Sequence, residues 1–302
     1  MSIRISFANN KGGVGKSTSV GNIAACLAAV GFEVLVVDSD PRGSVTLHLG
    51  ARAAALASDK HLVTAIDNKL PVSELIIPTS VPRVSLLASH PTLRDVPKRY
   101  SGFKRQYELL RAPFGTPDDD KMDEFDFVLF DTNPALNELL ASALDVSEYY
   151  IIPVFADVDS ITGLVELRNW LDQTTATAAR KVSLMGILIT NFNAKNATHR
   201  EMADFLIENS PEGTHIFEAR IPTSNTVQDA VKKSTPLISI RNGTSPAAIG
   251  YSHVVAEMIN LLMKEGRLVN GQSNSADVTG SSDPATQTKG NGGSFIILPN
   301  SH

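Results

Sequence analysis

One cysteine, Cys26, stands in a chain of 302 residues, so no disulfide framework, Cys-based zinc site or Cys-ligated cluster can form within it. The seven histidines are scattered, with no metal-ligand spacing and no Ser–His–Asp order among them. Positive charge is not in surplus: 27 Lys and Arg against 32 Asp and Glu leave a formal net charge of −5. That balance excludes a generally basic nucleic-acid binder and confines any such contact to a local patch. No stretch nears the about 18 consecutive apolar residues of a membrane span, and no basic n-region with an apolar h-region opens the chain. The expectation is a soluble cytoplasmic protein. What is present is 42% apolar content, enough for a full core as one large α/β domain or two small ones.

The densest signal is Asn10-Lys11-Gly12-Gly13-Val14-Gly15-Lys16-Ser17-Thr18. It follows a short apolar strand, Ile3 to Ala8, and runs into an Ala-rich helical stretch beginning near Lys16. Strand, glycine-rich loop and helix in that order are the setting of a phosphate-binding loop. Glycines at 12, 13 and 15 let backbone N–H groups turn inward around an anion, and the helix behind aims its positive dipole end at the same place. In such a loop Lys16 reaches the β- and γ-phosphates and the Ser17 hydroxyl ligates Mg²⁺.

Two acidic strand ends follow. Glu33 to Val37 leads into Asp38-Ser39-Asp40-Pro41-Arg42-Gly43-Ser44. A continuous apolar run after an intervening helix predicts a parallel strand buried on both faces, reached by a right-handed crossover. Carboxylates two residues apart on an extended end point the same way. Phe125 to Asp131 is a second apolar strand ending in a carboxylate, the arrangement that binds Mg²⁺ directly or through water.

The loop resembles the deviant Walker A box of the ParA/MinD family of ATPases, with Asn10 where the usual first glycine stands and Lys11 inside the loop. The segment from Asp38 resembles that family's D-x-D-P-Q-G box, with Arg42 at the glutamine, and Asp131-Thr132-Asn133-Pro134 resembles its D-x-P-P. The resemblance implies ATP and Mg²⁺ as cofactors and a sandwich homodimer in which Lys11 reaches the partner's nucleotide. It gives Asp40 the hydrolytic water and Asp38, with Ser17 and Asp131, the metal shell; catalysis falls to Lys11, Lys16 and Asp40. The loop residues Lys11 through Thr18, including Val14, form the phosphate site. Farther on, Asp157 aligns with a ribose contact from the partner subunit. An asparagine past the strand Val182–Thr190 reads adenine, and the spacing leaves Asn191 and Asn193 both open. Ile221-Pro222 resembles the base-flanking turn, which puts Pro222 at the nucleotide.

Between these boxes the chain is less legible. Val63–Leu70 and Val72–Ile77 read as short helices, Arg83–Ala88 as a strand followed by Ser89 in an A-S-x-x-L-like loop, and Ser101–Arg111 as a helix. Further helices are expected over Leu136–Leu144, Ile161–Thr175 with the lone Trp170 in core or dimer packing, Ala194–Asn209 capped near Asn193 or Asn196, Asn225–Lys233 and Ser245–Lys264. Tyr149–Pro153 reads as a strand. The basic run from Arg94 to Arg105 is interrupted by Asp95 and reads as a solvated face. From Asn270 the composition turns to Gly, Ser, Asn, Thr, Asp and Gln, a flexible polar tail, with Phe295–Leu298 at its end as either a docking peptide or an accident of sequence.

The departures from related proteins narrow the function. A first strand at residue 3 leaves no room for the N-terminal helix-turn-helix that some ParA proteins carry, and a polar tail with Lys289 alone is unlike the basic amphipathic helix of MinD. One cysteine cannot supply the cluster of the nitrogenase iron protein. From Arg180 to Arg267, ten Lys and Arg against eight Asp and Glu give a local balance of +2, and dimerisation doubles any such patch. Arg220, Lys232, Lys233, Arg241, Lys264 and Arg267 are the DNA-contact candidates; solvated surface charge is the competing account, and Thr223 stands where the family often has arginine.

The expected fold is one doubly wound, mostly parallel α/β domain over residues 1–267, with a tail over 268–302. The expected function is a ParA-type ATPase that partitions plasmid or chromosomal DNA. Its ATP-bound dimer holds nonspecific DNA on the nucleoid, a ParB-like adaptor stimulates hydrolysis, and no membrane is involved. Positioning of a protein cargo and a MinD-like membrane-associated regulator are the alternatives.

Overall fold

The structure, a computed structural model, describes residues 2–102, 108–115, 122–175, 182–210, 213–240 and 243–268. The expected polar tail, with Phe295–Leu298, lies outside the described residues apart from Leu268.

The first half of the fold runs β1 (Ile3–Phe7), α1 (Lys16–Ala29), β2 (Val34–Ser39), α2 (Ser44–His48), α3 (Arg52–Leu56), α4 (Leu62–Asn68), β3 (Ile77–Pro78), β4 (Val84–Leu87), α5 (Val96–Tyr100) and α6 (Arg111–Phe114). The second half runs β5 (Phe127–Thr132), α7 (Glu138–Asp145), β6 (Tyr149–Phe155), α8 (Val158–Thr175), β7 (Ser183–Thr190), α9 (Ala197–Asn209), α10 (Asn225–Lys232) and α11 (Pro246–Lys264). The strands form one seven-stranded sheet in the order β3-β4-β2-β5-β1-β6-β7. All neighbours are parallel except β3, which pairs antiparallel with β4. Helices cover both faces, as a sheet of continuous apolar strands requires.

Alternation along each strand divides the core. Ile3, Ile5 and Phe7 of β1 join Val34, Val36, Phe127 and Leu129 beneath α1 and α11. Leu35, Val37, Val128 and Phe130 point the other way, against residues of α4 and α7. Beyond β1, the strands β6 and β7 pack Ile152, Val154, Ile187 and Ile189 on α8 and α9, with Trp170 partly buried against that cluster. The chain reverses its direction of winding at β1, which lies between β5 and β6, so the crevice of a doubly wound fold opens at the C-terminal end of β1.

One sequence expectation changes. Val72–Ile77 is not a helix: a 3₁₀ turn covers Val72–Glu74, and Ile77-Pro78 pairs with Leu86 and Ser85 as an edge strand. Pro78 has no N–H for a helix, whereas an edge strand tolerates it, and Ile77 becomes buried by pairing. The middle of the helix expected over Ser101–Arg111, residues 103–107, lies outside the described residues. Pro97 stands in the first turn of α5, which ends at Tyr100 because Ser101 is extended and Gly102 takes φ +81°. A separate short helix, α6, starts at Arg111. Asn196 rather than Asn193 caps α9, its side chain accepting the Thr198 N–H at 3.0 Å. Among the described residues no helix is long and apolar enough to cross a membrane.

Packing of α2 on α1 buries a histidine. His48 is 2% exposed, and its ring packs closely on α1, 3.4 Å from where a Cβ on Gly21 would stand. Burial moves the His48 pKa from 6.5 down to about 4. The folded state therefore holds His48 neutral while the unfolded chain takes up a proton below pH 6.5, so this residue removes stability as pH falls from 6.5 toward 4. Asp38 and Asp131 act in the opposite sense, since their folded pKa values are raised. Comparison with His48→Leu isolates the histidine: between pH 7 and pH 5 the wild type should lose about 2 kcal/mol more than the variant. Urea unfolding at the two pH values measures it, and equal losses would show that His48 is not held neutral.

Candidate active site

The phosphate loop leaves the C-terminal end of β1 and turns through Gly13 and Gly15, at φ +82° and +86°. Gly15 caps α1 in the left-handed conformation, with no side chain bonded to the helix end and no acidic residue in the first turn. The first N–H groups of α1 are thus left for an anion. A Cβ at Gly12 or Gly13 would meet nothing within 4 Å, so the space over the loop is open. The loop is braced from outside. The Asn9 side chain accepts the Lys11 N–H at 2.8 Å and donates to the Pro153 carbonyl at 2.8 Å. The Thr190 hydroxyl, at the end of β7, donates to the Val14 carbonyl at 2.9 Å. Neither Asn9 nor Thr190 was singled out from sequence; the only available signal is a polar residue at the C-terminal end of an apolar strand.

Lys16 lies across the loop, its Nζ donating to the carbonyls of Asn9 at 2.9 Å and Lys11 at 3.0 Å. Burial lowers its pKa from 10.5 to about 8, against the opposing pull of Asp131 and Asp40. Its ammonium holds backbone oxygens that an incoming phosphate can replace.

Pairing of β2 with β5 sets Asp38 directly beside Asp131, and both are fully buried. The two differ in their partners. Asp38 accepts from the Asp40 N–H at 3.1 Å, the Thr46 N–H at 3.0 Å and the Thr46 hydroxyl at 2.6 Å. Three donors make Asp38 a brace for the loop into α2, held beside Asp131 where it was expected to support the metal shell. Burial raises its pKa to about 6 in spite of those bonds. Neither oxygen of Asp131 has a hydrogen-bond partner. Its pKa is raised, first by burial and then by Asp38; the Ser17 side chain and Lys16 oppose this, although neither Asp131 oxygen closes a hydrogen bond with Ser17. A buried carboxylate with two unpaired oxygens is a costly group that a cation would satisfy. Among the described residues no group of three His, Cys, Asp or Glu could hold a metal ion alone. Magnesium fits at Asp131 with Ser17 when phosphate and water oxygens complete its shell.

Asp40 is 2% exposed and stands past the end of β2, its carbonyl tied by the Ser89 hydroxyl at 2.6 Å. Ser89, expected only as part of a loop, thus fixes the catalytic candidate to the end of β4. The Asp40 carboxylate is held by Arg42, whose Nη2 lies 2.7 Å from Oδ2.

Beside Gly13, Gly15 and Thr18, a cavity of about 280 Å³ is lined by Phe155, Thr190, Asn191 and Pro222, among others. Asn191 has φ +51° and its carbonyl accepts from the Thr223 hydroxyl at 2.9 Å. Asn193 is absent from this lining, and its side chain accepts the Lys195 N–H at 3.0 Å. Of the two asparagines left open by spacing, tertiary structure brings Asn191 to the loop. Ile221 and Thr223 bond alongside Ile189 and Phe192, which carries Pro222 to the same wall. Asp157 holds Lys11 of its own chain at 2.9 Å and accepts the Ser160 N–H at 2.8 Å.

Two of the DNA-contact candidates, Arg220 and Arg267, lie at opposite ends of the sheet. Arg220 stacks its guanidinium over the Phe192 ring at 4.7 Å, past the C-terminal end of β7. Arg267 is paired with Glu148 at the opposite end of the sheet, where the Glu148 N–H bonds to Arg4. Arg267, exposed at the surface, is thus tied to the fold's own framework through Glu148. Lys232, Lys233 and Lys264 are exposed, and Arg241 lies outside the described residues.

Comparison with known proteins agrees with this geometry. A family model described as an AAA domain matches residues 2–184. The chromosome-partitioning ATPase Soj of Thermus thermophilus is 30% identical over 256 residues, covering 85% of this chain and 95% of its own. The chromosome partitioning protein ParA of Caulobacter vibrioides is 24% identical, covering 78% of this chain and 85% of its own. A cobyrinic acid a,c-diamide synthase from Mycobacterium smegmatis, solved with an ATP analog and magnesium, superposes with a TM-score of 0.73 at 20% identity, over 88% of this chain and 98% of that one. That last likeness shows the fold. With its loop, its strand-end carboxylates and its relatives in agreement, the chain belongs to the ParA/MinD family of deviant Walker A ATPases.

Proposed function

We propose that this protein hydrolyses ATP in a cycle of dimerisation that partitions plasmid or chromosomal DNA. The observation that carries the chemistry is Asp131, a buried carboxylate with no partner beside the uncapped end of α1 and the Lys16 ammonium. Uncapped N–H groups, a buried lysine and an unpaired carboxylate together suit a triphosphate with its cation. The direction toward DNA is supported by the similarity to Soj, a chromosome-partitioning ATPase.

In this reading Lys16 exchanges its bonds to Asn9 and Lys11 for phosphate oxygens, and the N–H groups of Gly13, Gly15 and α1 take the rest. Asp131 and Ser17 hold Mg²⁺, which supplies positive charge against the phosphates when bound. Asp40 orients the attacking water. Thr18, Asn191 and Pro222 line the base and ribose end. Lys11 leaves Asp157 as two subunits close, places its charge on the opposite γ-phosphate, and frees Asp157 for the facing ribose. Hydrolysis, stimulated by a ParB-like adaptor, returns the protein to the monomer. We take residues 1–267 as the ATPase domain and 268–302 as a polar tail, and the protein as cytoplasmic and nucleoid-associated with ATP.

Arg220, Lys232, Lys233, Arg241 and Lys264 offer scattered cations that dimerisation doubles into a phosphate-binding surface. A gel shift on arbitrary duplex tests this. Binding should require ATP rather than ADP, and replacing one phosphate-binding cation by alanine should flatten the salt dependence by about one unit of log–log slope. Lys232→Ala with Lys233→Ala should weaken binding equally on unrelated sequences. Absence of ATP-dependent DNA binding together with binding to anionic liposomes would favour a membrane regulator instead.

A further inference from the structure

We propose that Arg42 is a positioning residue that restrains hydrolysis: it occupies the Asp40 carboxylate, and the attacking water gains that carboxylate only when the guanidinium lets go. This rests on the reading of Asp40 as the group that orients water.

The restraint is visible atom by atom. The Arg42 Nε lies 3.2 Å from Asp40 Oδ1 and 3.1 Å from Oδ2, and Nη2 lies 2.7 Å from Oδ2. The Arg42 backbone N–H adds a fourth bond, 3.0 Å from Oδ1. A carboxylate offers about four lone-pair directions. Each oxygen therefore already receives two donors, and a water O–H must displace an arginine N–H to be held there. The grip is two-pronged and charge-assisted, the strong kind of hydrogen bond.

The two partners are unequal in mobility. The Asp40 side chain is 3% exposed and that of Arg42 61%. Asp40 is further pinned on its main chain, its N–H given to Asp38 and its carbonyl held by Ser89. Arg42 has no other partner of this kind among the described residues: its guanidinium hangs in solvent on one side, just before Gly43 turns the chain into α2 at φ +65°. Asp40 is thus the fixed half of the pair and Arg42 the half that can swing. Any anion presented from outside, including the terminal phosphate of the nucleotide, competes for that guanidinium. Arg42 thereby sets how often Asp40 is available without itself touching the water.

Steady-state ATP hydrolysis by the full chain with Mg²⁺ tests this in Arg42→Gln, Arg42→Lys, Asp40→Ala and the double variant Arg42→Gln/Asp40→Ala. Glutamine keeps reach and polarity and drops the charge. Its kcat should rise by about tenfold, the scale of one strong hydrogen bond removed from the ground state. KM for ATP and the Kd of a non-hydrolysable ATP analogue should stay within about twofold, a split that a merely structural role for Arg42 would not give. Lysine, which cannot grip both oxygens in one plane, should fall between the two. In the double variant the gain must vanish, leaving the Asp40→Ala rate. A kcat for Arg42→Gln at or below wild type, or a gain that survives without Asp40, overturns the proposal. The underlying reading fails separately: if Asp40→Ala alone keeps the wild-type kcat, Asp40 does not serve the water at all.

Discussion

Lys16→Ala should weaken ATP binding by about two orders of magnitude or more, roughly 3 kcal/mol, the upper range for hydrogen bonds made by one charged group. The reason lies in what Lys16 does before any nucleotide arrives. Its ammonium is buried and bonded to two loop carbonyls, those of Asn9 and Lys11. That arrangement holds the loop closed around a charge poised over the anion site. Alanine removes the charge that meets the phosphates and unties the loop from its own N-terminal half. The fold should not suffer: burial already pushes the Lys16 pKa down to about 8, so the folded state pays to keep it charged. The melting temperature of nucleotide-free Lys16→Ala should therefore equal or exceed that of the wild type. Titration with a fluorescent ATP analogue measures the loss, and an affinity within about threefold of wild type would remove Lys16 from the phosphate site.

Asp40→Ala should do the reverse, keeping ATP while losing turnover by about 10²–10⁴-fold, the range for a positioned acid–base group. Asp40 is hydrogen-bonded to Arg42 and, through its main chain, to Asp38 and Ser89. Removing the carboxylate leaves the cradle of α1, Lys16 and Asp131 intact. If ATP drives closure of two subunits and hydrolysis reopens them, this variant should accumulate as a dimer on ATP. Light scattering behind size exclusion, with ATP or ADP, reads the result. An Asp40→Ala protein that binds ATP and stays monomeric would contradict the sandwich mechanism. The same experiment bears on Lys11, which in a single protomer is held by Asp157 at 2.9 Å. In the proposed dimer, the partner's nucleotide is what would draw that lysine away.

Legibility followed the range of the interactions concerned. The phosphate loop, the boxes at Asp38 and Asp131, and the strands and long helices of the second half could all be read from sequence, because local chemistry writes them. Glycines at turns, apolar runs ending in Asp, and Asn or Ser ahead of amphipathic stretches need no distant partner. Val72–Ile77 misled for the opposite reason. Whether Ile77 belongs to a helix or to an edge strand depends on Leu86 pairing with it, and no periodicity within six residues carries that information.

By itself the sequence determined that a nucleotide-binding α/β fold forms, where its phosphate loop lies and which carboxylates surround it. These are properties of backbone conformation, strand burial and residue type over short spans. Tertiary structure decided the division of labour among them. Parallel pairing of β2 with β5 set Asp38 against Asp131, and Thr46 then took Asp38 as a brace while Asp131 was left with its oxygens unpaired. Packing of the chain after β7 chose Asn191 over Asn193 for the cavity and paired Arg267 with Glu148. Arg42, in sequence only a departure at one position of a box, became the partner of the catalytic candidate. Spacing along a chain states which groups can meet. Hydrogen bonds closed across the fold settle which of them are already spoken for, and a site's chemistry belongs to those that are not.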